Sequence, residues 1–408
     1  MTLARDTIPL VRTATAVVLA GCLIAMVGFG ARSVMGLYLE PMTVAKGWSR
    51  ETFGLAMALQ NLLWGAAVPL AGGLADKFGP SRVLALGAIL YGLGLCGMAV
   101  SESGLALHLT GGVLLGTGIA FTGFSIALAS IAKVVGPARR SLALGLGTAA
   151  GSMGQVVFSP ITQAMISGIG WYDSLLILAL SVLIIIPLAL VLPHDPDGAG
   201  RKAAEQTMAA ALKEAMGHGG FLLLTAGFFV CGFQIAFITV HFPAYVKDLG
   251  FSPAVGAIAM ALVGLFNIAG SLLAGYVGQR FRKNYGLSVI YLVRSILVVG
   301  LLMLPKSEPL ILTFAATMGF LWLSTVPLTS GLVAQIFGVR YMATLFGIVF
   351  FSHQIGSFLG VWLGGLLYDQ TGSYDPIWWM SVALGIFAAI VHLPIKDQPV
   401  ERLKAGAA

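Results

Sequence analysis

The strongest constraint on this chain is a rhythm: apolar runs of about twenty residues recur from one end to the other, separated by short charged connections. A run of that length crosses a hydrocarbon core of about 30 Å as an α-helix, which satisfies every backbone N–H and C=O within itself. Twelve such runs are read at approximately 13–39, 51–75, 83–101, 105–132, 142–167, 172–193, 218–246, 252–278, 286–304, 309–336, 342–368 and 376–395. Composition agrees: 58% of the 408 residues are hydrophobic and 10% charged, where a soluble domain carries about a quarter charged residues. The alternating ten-residue pattern of a membrane barrel is missing. The expected fold is an all-α membrane protein, a bundle of twelve transmembrane helices.

Lysine and arginine bias sets the expected orientation, because short basic loops stay cytoplasmic. With both termini cytoplasmic, the tails and the loops on that side hold 17 of the 23 basic residues and the outer loops hold four: Lys46, Arg50, Lys247 and Lys306. The remaining two, Arg32 and Arg294, fall inside runs. Acidic residues divide evenly, eight to a side, so the net charge of +7 reflects topology and points to no nucleic acid. Arg5 and Arg12 before an apolar stretch imitate a signal peptide, but the first run is too long and lacks a small-x-small site, so it is read as a retained helix. Cys22, Cys96 and Cys231 all lie in runs without paired spacing, which gives no disulfide framework and no metal site.

The one long polar interruption, residues 194–217, lies near the middle and reads as a cytoplasmic linker between an N-terminal half, 1–193, and a C-terminal half, 218–408. Shifting the sequence by 202 or 203 positions exposes a repeat. "GWS" at 47–49 meets "GFS" at 250–252 and "MAL" at 57–59 meets "MAL" at 260–262. Gly72, Asp76 and Lys77 meet Gly275, Gln279 and Arg280; Gly154 meets Gly356 and Pro41 meets Pro243. Two pseudo-symmetric sets of six helices, duplicated in parallel, are how one large class of secondary transporter is built.

With "GGLADKFGPSR" between runs two and three, the chain resembles the major facilitator superfamily over essentially its full length. Gly72, Asp76, Lys77, Gly79 and Arg82 stand where that family has its loop motif, and the resemblance implies a conformational latch there, with Arg280 in the second copy. "GARSVMGLYLEPMTVAKGWSRETFG" and "IFGVRYMATLFGIVFFSHQIGSFLG" are similar to the bacterial monocarboxylate-transporter-like branch, related to oxalate/formate exchangers. Arg32 with Ser33 matches the place of a lysine and serine in helix 1 of that branch. The aspartate and arginine of its helix 8 correspond here to Asn267 and Ser271, a departure that removes the relatives' pair for proton coupling and anion binding. The resemblance implies a monomer in a bacterial cytoplasmic (inner) membrane, without cofactor.

A charge at the membrane centre costs about 2.5–3.5 kcal/mol on insertion scales, so each intramembrane ion is a functional candidate. Arg32, with Gly28 and Gly36 a turn to either side, is either a fork for a substrate carboxylate or a side chain that snorkels outward or bonds carbonyls of a broken helix. Its repeat mate Gln234, and His241 on the same face, would add hydrogen bonds from the opposite half. The superfamily lines its cavity with helices 1, 4, 7 and 10, which adds Thr122, Thr325 and Trp322. His353 is a candidate proton relay or a buried neutral histidine in a close helix contact. Arg294, in an outer helix of that arrangement, is expected to bond helix carbonyls or a neighbouring span. No acidic residue falls near the centre of a run, so proton coupling would use His353, His241, Glu40 or the substrate's own carboxyl group.

The expected function is secondary transport of a small organic monocarboxylate by alternating access, with proton symport as the coupling. Anion exchange without proton coupling is the alternative, and multidrug efflux a further one, although "GTAAGSMGQVVFSP" lacks the G-x-x-x-G-P-x-x-G-G signature that the resemblance would require for efflux. A non-transporting sensor would carry a long cytoplasmic tail. An intramembrane enzyme would need a metal cluster, H-E-x-x-H or paired carboxylates, none of which the sequence contains.

Overall fold

The computed structural model describes residues 13–135, 137–193, 207–338 and 341–401. Asp76 is placed in its helix but its side chain is not described; residues 194–206 of the expected linker and Arg340 lie outside the described residues. The described elements are helical. Among the described residues, eleven stretches are long and apolar enough to cross a membrane. Pro137–Ile169, of 33 residues, supplies the twelfth by length; its glycines, serines, threonines and glutamines make it less apolar than the rest.

In chain order, α1 is Ala14–Ser33, prolonged through a 3-10 turn, Met35–Tyr38, into Leu39–Lys46. Next come α2 (Arg50–Phe78), α3 (Pro80–Val100) and α4, which runs from Gly104–Leu107 through a π-turn at His108–Leu114 and Leu115–Phe121 to Phe124–Val134. Then follow α5 (Pro137–Ile169) and α6 (Trp171–Leu183 with Ile185–Leu190). A short helix, Met208–Met216, lies in the expected linker. The second set is α7 (Gly219–Asp248), α8 (Pro253–Arg280), α9 (Lys283–Met303), α10 (Glu308–Leu321 and Thr325–Phe337), α11 (Met342–Thr371) and α12 (Asp375–His392).

Among the described residues, α6 is interrupted at Ile184, and three further helices, α1, α4 and α10, break within the bundle. In α1 the ladder tightens at Val34 (φ −95°, ψ 0°), in α4 it opens at Thr122–Gly123, and in α10 at Trp322–Ser324. The α4 and α10 breaks are repeat mates. Irregular backbone at membrane depth is tolerated where it is buried in protein or lines a cavity, and side chains take freed carbonyls at the α4 and α10 breaks.

Buried apolar residues form two clusters. One is built almost wholly from α1–α6, including Tyr38, Phe53, Tyr91 and Leu178; the other from α7–α12, including Phe228, Phe237, Tyr291 and Trp378. α2 packs on α11 and α5 on α8 where the clusters meet. Within the second set α7 lies closest to α11, because Gly356 and Gly360 let the Phe229 and Phe233 backbone of α7 sit where a Cβ would be. This is the small-xxx-small route to close helix contact in a medium that offers no hydrophobic drive.

At the end that the charge bias predicts to be outer, the two sets are tied together. Arg50 donates through Nη1 and Nη2 to the Asp248 carboxylate, with Nη2 at 2.7 Å. Its guanidinium lies over the Tyr368 ring, 3.8 Å from the centroid, and Nη1 also donates to Tyr374 Oη at 3.0 Å. The Asp369 carboxylate accepts the backbone N–H groups of Arg50 (3.1 Å) and Glu51 (2.7 Å), so a residue from α11 caps the positive N-terminus of α2. Lys247 pairs with Glu40 at 2.6 Å, and Trp362 donates to Glu51 at 3.1 Å.

At the opposite end the expected latch residues make no cross-half ion pair among the described residues. Lys77, Arg82 and Arg280 are exposed; Lys77 lies over Phe78 and Arg280 over Tyr276, each a neighbour on its own helix. Gly72 and Gly275 have nothing within 4 Å of where a side chain would begin. Gly79, with φ +92°, makes the α2–α3 turn that an L side chain rarely adopts. The bundle is therefore shut at the Arg50 end and looser at the Arg82 end.

Two outcomes follow from this packing. Gly360→Val forces α7 and α11 apart and costs about 1–3 kcal/mol, read as a lowered midpoint in thermal denaturation of the detergent-solubilised protein. Arg50→Ala removes a bidentate, partly buried pair and shifts the equilibrium toward a form open at that end by about tenfold, roughly 1.4 kcal/mol. Spin labels at Val44 and Ser307 read it as growth of a longer distance; an unchanged distribution removes Arg50 from the closure.

Candidate functional site

Arg32 stands in the last turn of the first α1 segment, where its charge suits the negative end of a helix. Nη2 donates to Asn61 Oδ1 on α2 at 2.7 Å. Asn61 Nδ2 in turn donates to the Met57 carbonyl at 2.8 Å, which fixes which side of the amide is oxygen. The guanidinium lies 4.3 Å from the Trp64 ring centroid and 5.9 Å from that of Phe29. No carboxylate pairs with it among the described residues. A guanidinium offers five N–H donors, and Asn61 is its one hydrogen-bond acceptor among the described contacts. Ile24, Ala25, Gly28, Phe29, Trp64, Ile119 and Thr122 enclose a space beside it of about 30 Å³, room for about one water. A carboxylate enters only if Trp64 or Phe29 moves.

From Trp64 an aromatic path crosses to α11. Trp64 meets Phe350 edge-on at 5.4 Å, and Phe350 stacks with His353 at 5.7 Å. A polar path runs alongside: Gln354 Nε2 donates to the Asn61 carbonyl at 2.9 Å, and Gln354 Oε1 meets His353 Nδ1 at 2.9 Å. A backbone carbonyl only accepts, so the Gln354 atom facing it is nitrogen and the other is oxygen. That oxygen only accepts, so His353 carries a proton on Nδ1. Asn61 therefore touches both the Arg32 cation and the α11 segment bearing His353, at the contact between the halves.

The other residues expected at the site divide. Thr122 lines the space beside Arg32, its hydroxyl donating to the Gly118 and Ile119 carbonyls above the α4 break. Gln234 does not face Arg32: it is buried toward α9 and α12, donating to the Ser381 carbonyl at 3.0 Å and accepting from Arg294 at 3.5 Å. His241 does not line the cavity either. Nε2–H donates to the Val361 carbonyl at 2.8 Å, so Nδ1 accepts from Tyr374 O–H at 3.0 Å. Burial holds the Tyr374 phenol above its ordinary range, keeping that proton in place and joining His241 to the Arg50 closure. Glu40 belongs to the same end, paired with Lys247.

Trp322 and Thr325 flank the α10 break and are buried with the C-terminal cluster. The Leu321 and Trp322 carbonyls accept from Arg294 Nη2 at 2.6 Å each, so Arg294 binds the carbonyls of a broken helix, while Thr325 Oγ1 lies 3.3 Å from Cys231 Sγ. Trp64, Phe350 and the Arg50–Asp369 network were not expected. Trp64 follows Gln60 by four residues and Asn61 by three, the helical spacing that puts an aromatic on a polar face; the cross-half contacts leave no trace in local spacing.

Residues 20–361 match the sequence profile of the Major Facilitator Superfamily. An uncharacterised MFS-type transporter of Bacillus subtilis, YcxA, is 25% identical over 383 residues, 90% of this chain and 91% of that protein. Monocarboxylate transporter 13 of Bos taurus is 28% identical over 313 residues, 75% of this chain and 71% of that protein. Among solved structures, a D-xylose-proton symporter superimposes with a TM-score of 0.75 at 14% identity, covering 95% of this chain and 99% of the other. A single-residue mutant of the nucleoside transporter NupG gives 0.75 at 16% identity, covering 93% and 99%. At these identities the structures show the fold, and the profile shows the family: this multi-pass membrane protein belongs to the Major Facilitator Superfamily, whose members are secondary transporters and not enzymes.

Proposed function

We propose that this transporter carries a small organic monocarboxylate together with a proton, by rocking of an N-terminal half (1–193) against a C-terminal half (218–408) joined by the linker 194–217. The membrane is a bacterial cytoplasmic membrane, with both termini on the cytoplasmic side. The observation that carries the substrate class is Arg32: a fixed cation within the N-terminal half, one residue removed from the contact between the halves, held by a neutral amide, faced by aromatic rings and without a carboxylate partner among the described residues. Such a group takes one anionic head bidentately, and Trp64, Phe29 and Ile119 leave an apolar wall for the rest of the molecule. A second carboxylate would meet no second free cation among the residues described there, and a cationic drug would meet repulsion.

Support for the class also comes from likeness to proteins named monocarboxylate transporters. Exchange without a proton is the second reading, favoured by the lack of an acidic residue near the centre of any run.

Counterflow in proteoliposomes across monocarboxylates, dicarboxylates and cationic drugs, with and without a pH gradient, tests the proposal. Exchange is expected for a monocarboxylate alone; exchange of a cationic drug with no carboxylate would sink it. Arg32→Ala loses charge-assisted bonds of about 1.5–3 kcal/mol, so apparent affinity falls about 10- to 150-fold while the melting midpoint stays near that of the parent. Arg32→Lys keeps the charge without the fork and recovers only part of the affinity.

A further inference from the structure

The C-terminal cluster holds a second arginine that has no part in anion binding at Arg32. Arg294 is fully buried, and a guanidinium is never deprotonated in proteins. Its neighbours are two carbonyls, the Gln234 amide at 3.5 Å and the Cys231 sulfur at 3.5 Å; Nε has no partner among the described residues. No carboxylate pairs with it among the described residues. Burying a cation is costly, and a nearby anion offsets part of that cost. Two acidic groups touch it, the Cys231 thiol and the Tyr291 phenol, whose ring centroid lies 5.4 Å from the guanidinium carbon. The thiol is intrinsically the stronger acid, and proximity to arginine is what stabilises a thiolate.

The groups facing the sulfur suit an anion that takes up a proton. From α9 come Arg294 and Tyr291, whose buried hydroxyl has no hydrogen-bond partner among the described residues. From α10 comes Thr325 Oγ1 at 3.3 Å. From α11 comes His353, whose carbonyl lies against Gly232, the residue after Cys231. From α12, His392 stacks on the far face of Tyr291 at 5.2 Å and bonds its own helix through Nδ1. His353 keeps 8% of its surface exposed, whereas Cys231, Tyr291 and Arg294 keep none. With Nδ1–H committed to Gln354, Nε2 is the ring nitrogen left to relay a proton.

We propose that Cys231, paired as a thiolate with Arg294, is the binding site of the co-transported proton, with His353 as its route to the cavity. This rests on the proton-symport reading above. The step is a proton transfer: water-borne H⁺ binds His353 Nε2, passes to Cys231 sulfur, and leaves by the reverse path. Empty, the interior holds two guanidinium cations and one thiolate, a net of +1. Loaded with H⁺ on sulfur and a monocarboxylate at Arg32, it again holds +1. The halves therefore move the same charge loaded or empty.

The first test needs no transport. In protein carrying Cys22→Ser and Cys96→Ser, the ultraviolet absorbance of thiolate is followed against pH. A thiolate signal is expected at neutral pH, lost on acidification, absent after Cys231→Ser and moved to alkaline pH by Arg294→Met. A thiol that ionises only near about pH 8.5, as free cysteine does, or that ignores Arg294→Met, overturns the proposal. In proteoliposomes, Cys231→Ser is expected to lose stimulation of uptake by an inward proton gradient and Cys231→Asp to keep it, which separates lost coupling from lost folding. Stimulation retained in Cys231→Ser overturns the proposal. If the parent protein exchanges no carboxylate, the transport reading has failed while the thiolate measurement still decides the Cys231–Arg294 pair. If it exchanges one without responding to a gradient, the proton site falls.

Discussion

Two guanidinium cations, Arg32 and Arg294, lie within apolar runs that carry no acidic residue near their centres, and the described interior is arranged around that imbalance. The halves answer it differently. In the first, Arg32 receives one amide oxygen and aromatic faces, contacts that hold a cation in place without neutralising it. In the second, Arg294 receives two carbonyls and a sulfur. An incompletely satisfied charge is costly in a low-dielectric interior, and it persists in a folded protein where a ligand completes it. Arg32 keeps donors that the proposed anion would fill, whereas Arg294 is tied to the backbone of α10.

The breaks in the helices follow from the same need to pair polar groups. At Trp322–Ser324 the freed carbonyls are taken by Arg294, whose repeat mate, Tyr91, sends its hydroxyl to the Gly28 carbonyl at 3.2 Å. One position in the duplicated plan thus serves backbone carbonyls in both halves, once with a neutral donor and once with a charged one. The charged version places a cation beside α7, where Cys231 and Gln234 then face it.

Much of the fold was legible because its cause is local. Apolar length marks the spans, and the 202–203 shift marks the repeat, since each run must satisfy its own backbone and bury its own stripe. Arg32 was legible as an anomaly, a charge among apolar and small residues. What the sequence hid was direction. Gln234 is Arg32's repeat mate, yet it turns toward α9 and α12 because Arg294 and the Ser381 carbonyl are there to bond it. His241 lies on the expected helix but too near its end, where Tyr374 and Val361 capture both ring nitrogens. Asp369 and Arg50 are separated by more than three hundred residues, and no spacing rule joins them.

The closure at the Arg50 end and the contacts at Arg32 are mechanically linked through α2 and α11. These two helices carry Arg50, Asn61 and Trp64 on one side and Phe350, His353, Gln354 and Asp369 on the other. Along a single interface they meet as a capped helix N-terminus at one end and, nearer the middle, as the Gln354–Asn61 bond. A substrate carboxylate that displaces Asn61 from Arg32 frees the amide whose backbone carbonyl Gln354 holds. Gln354 also fixes the His353 proton on Nδ1. The proposed anion site and the proposed proton path at His353 therefore meet at Asn61 and Gln354, whose mutual bond crosses from one half to the other.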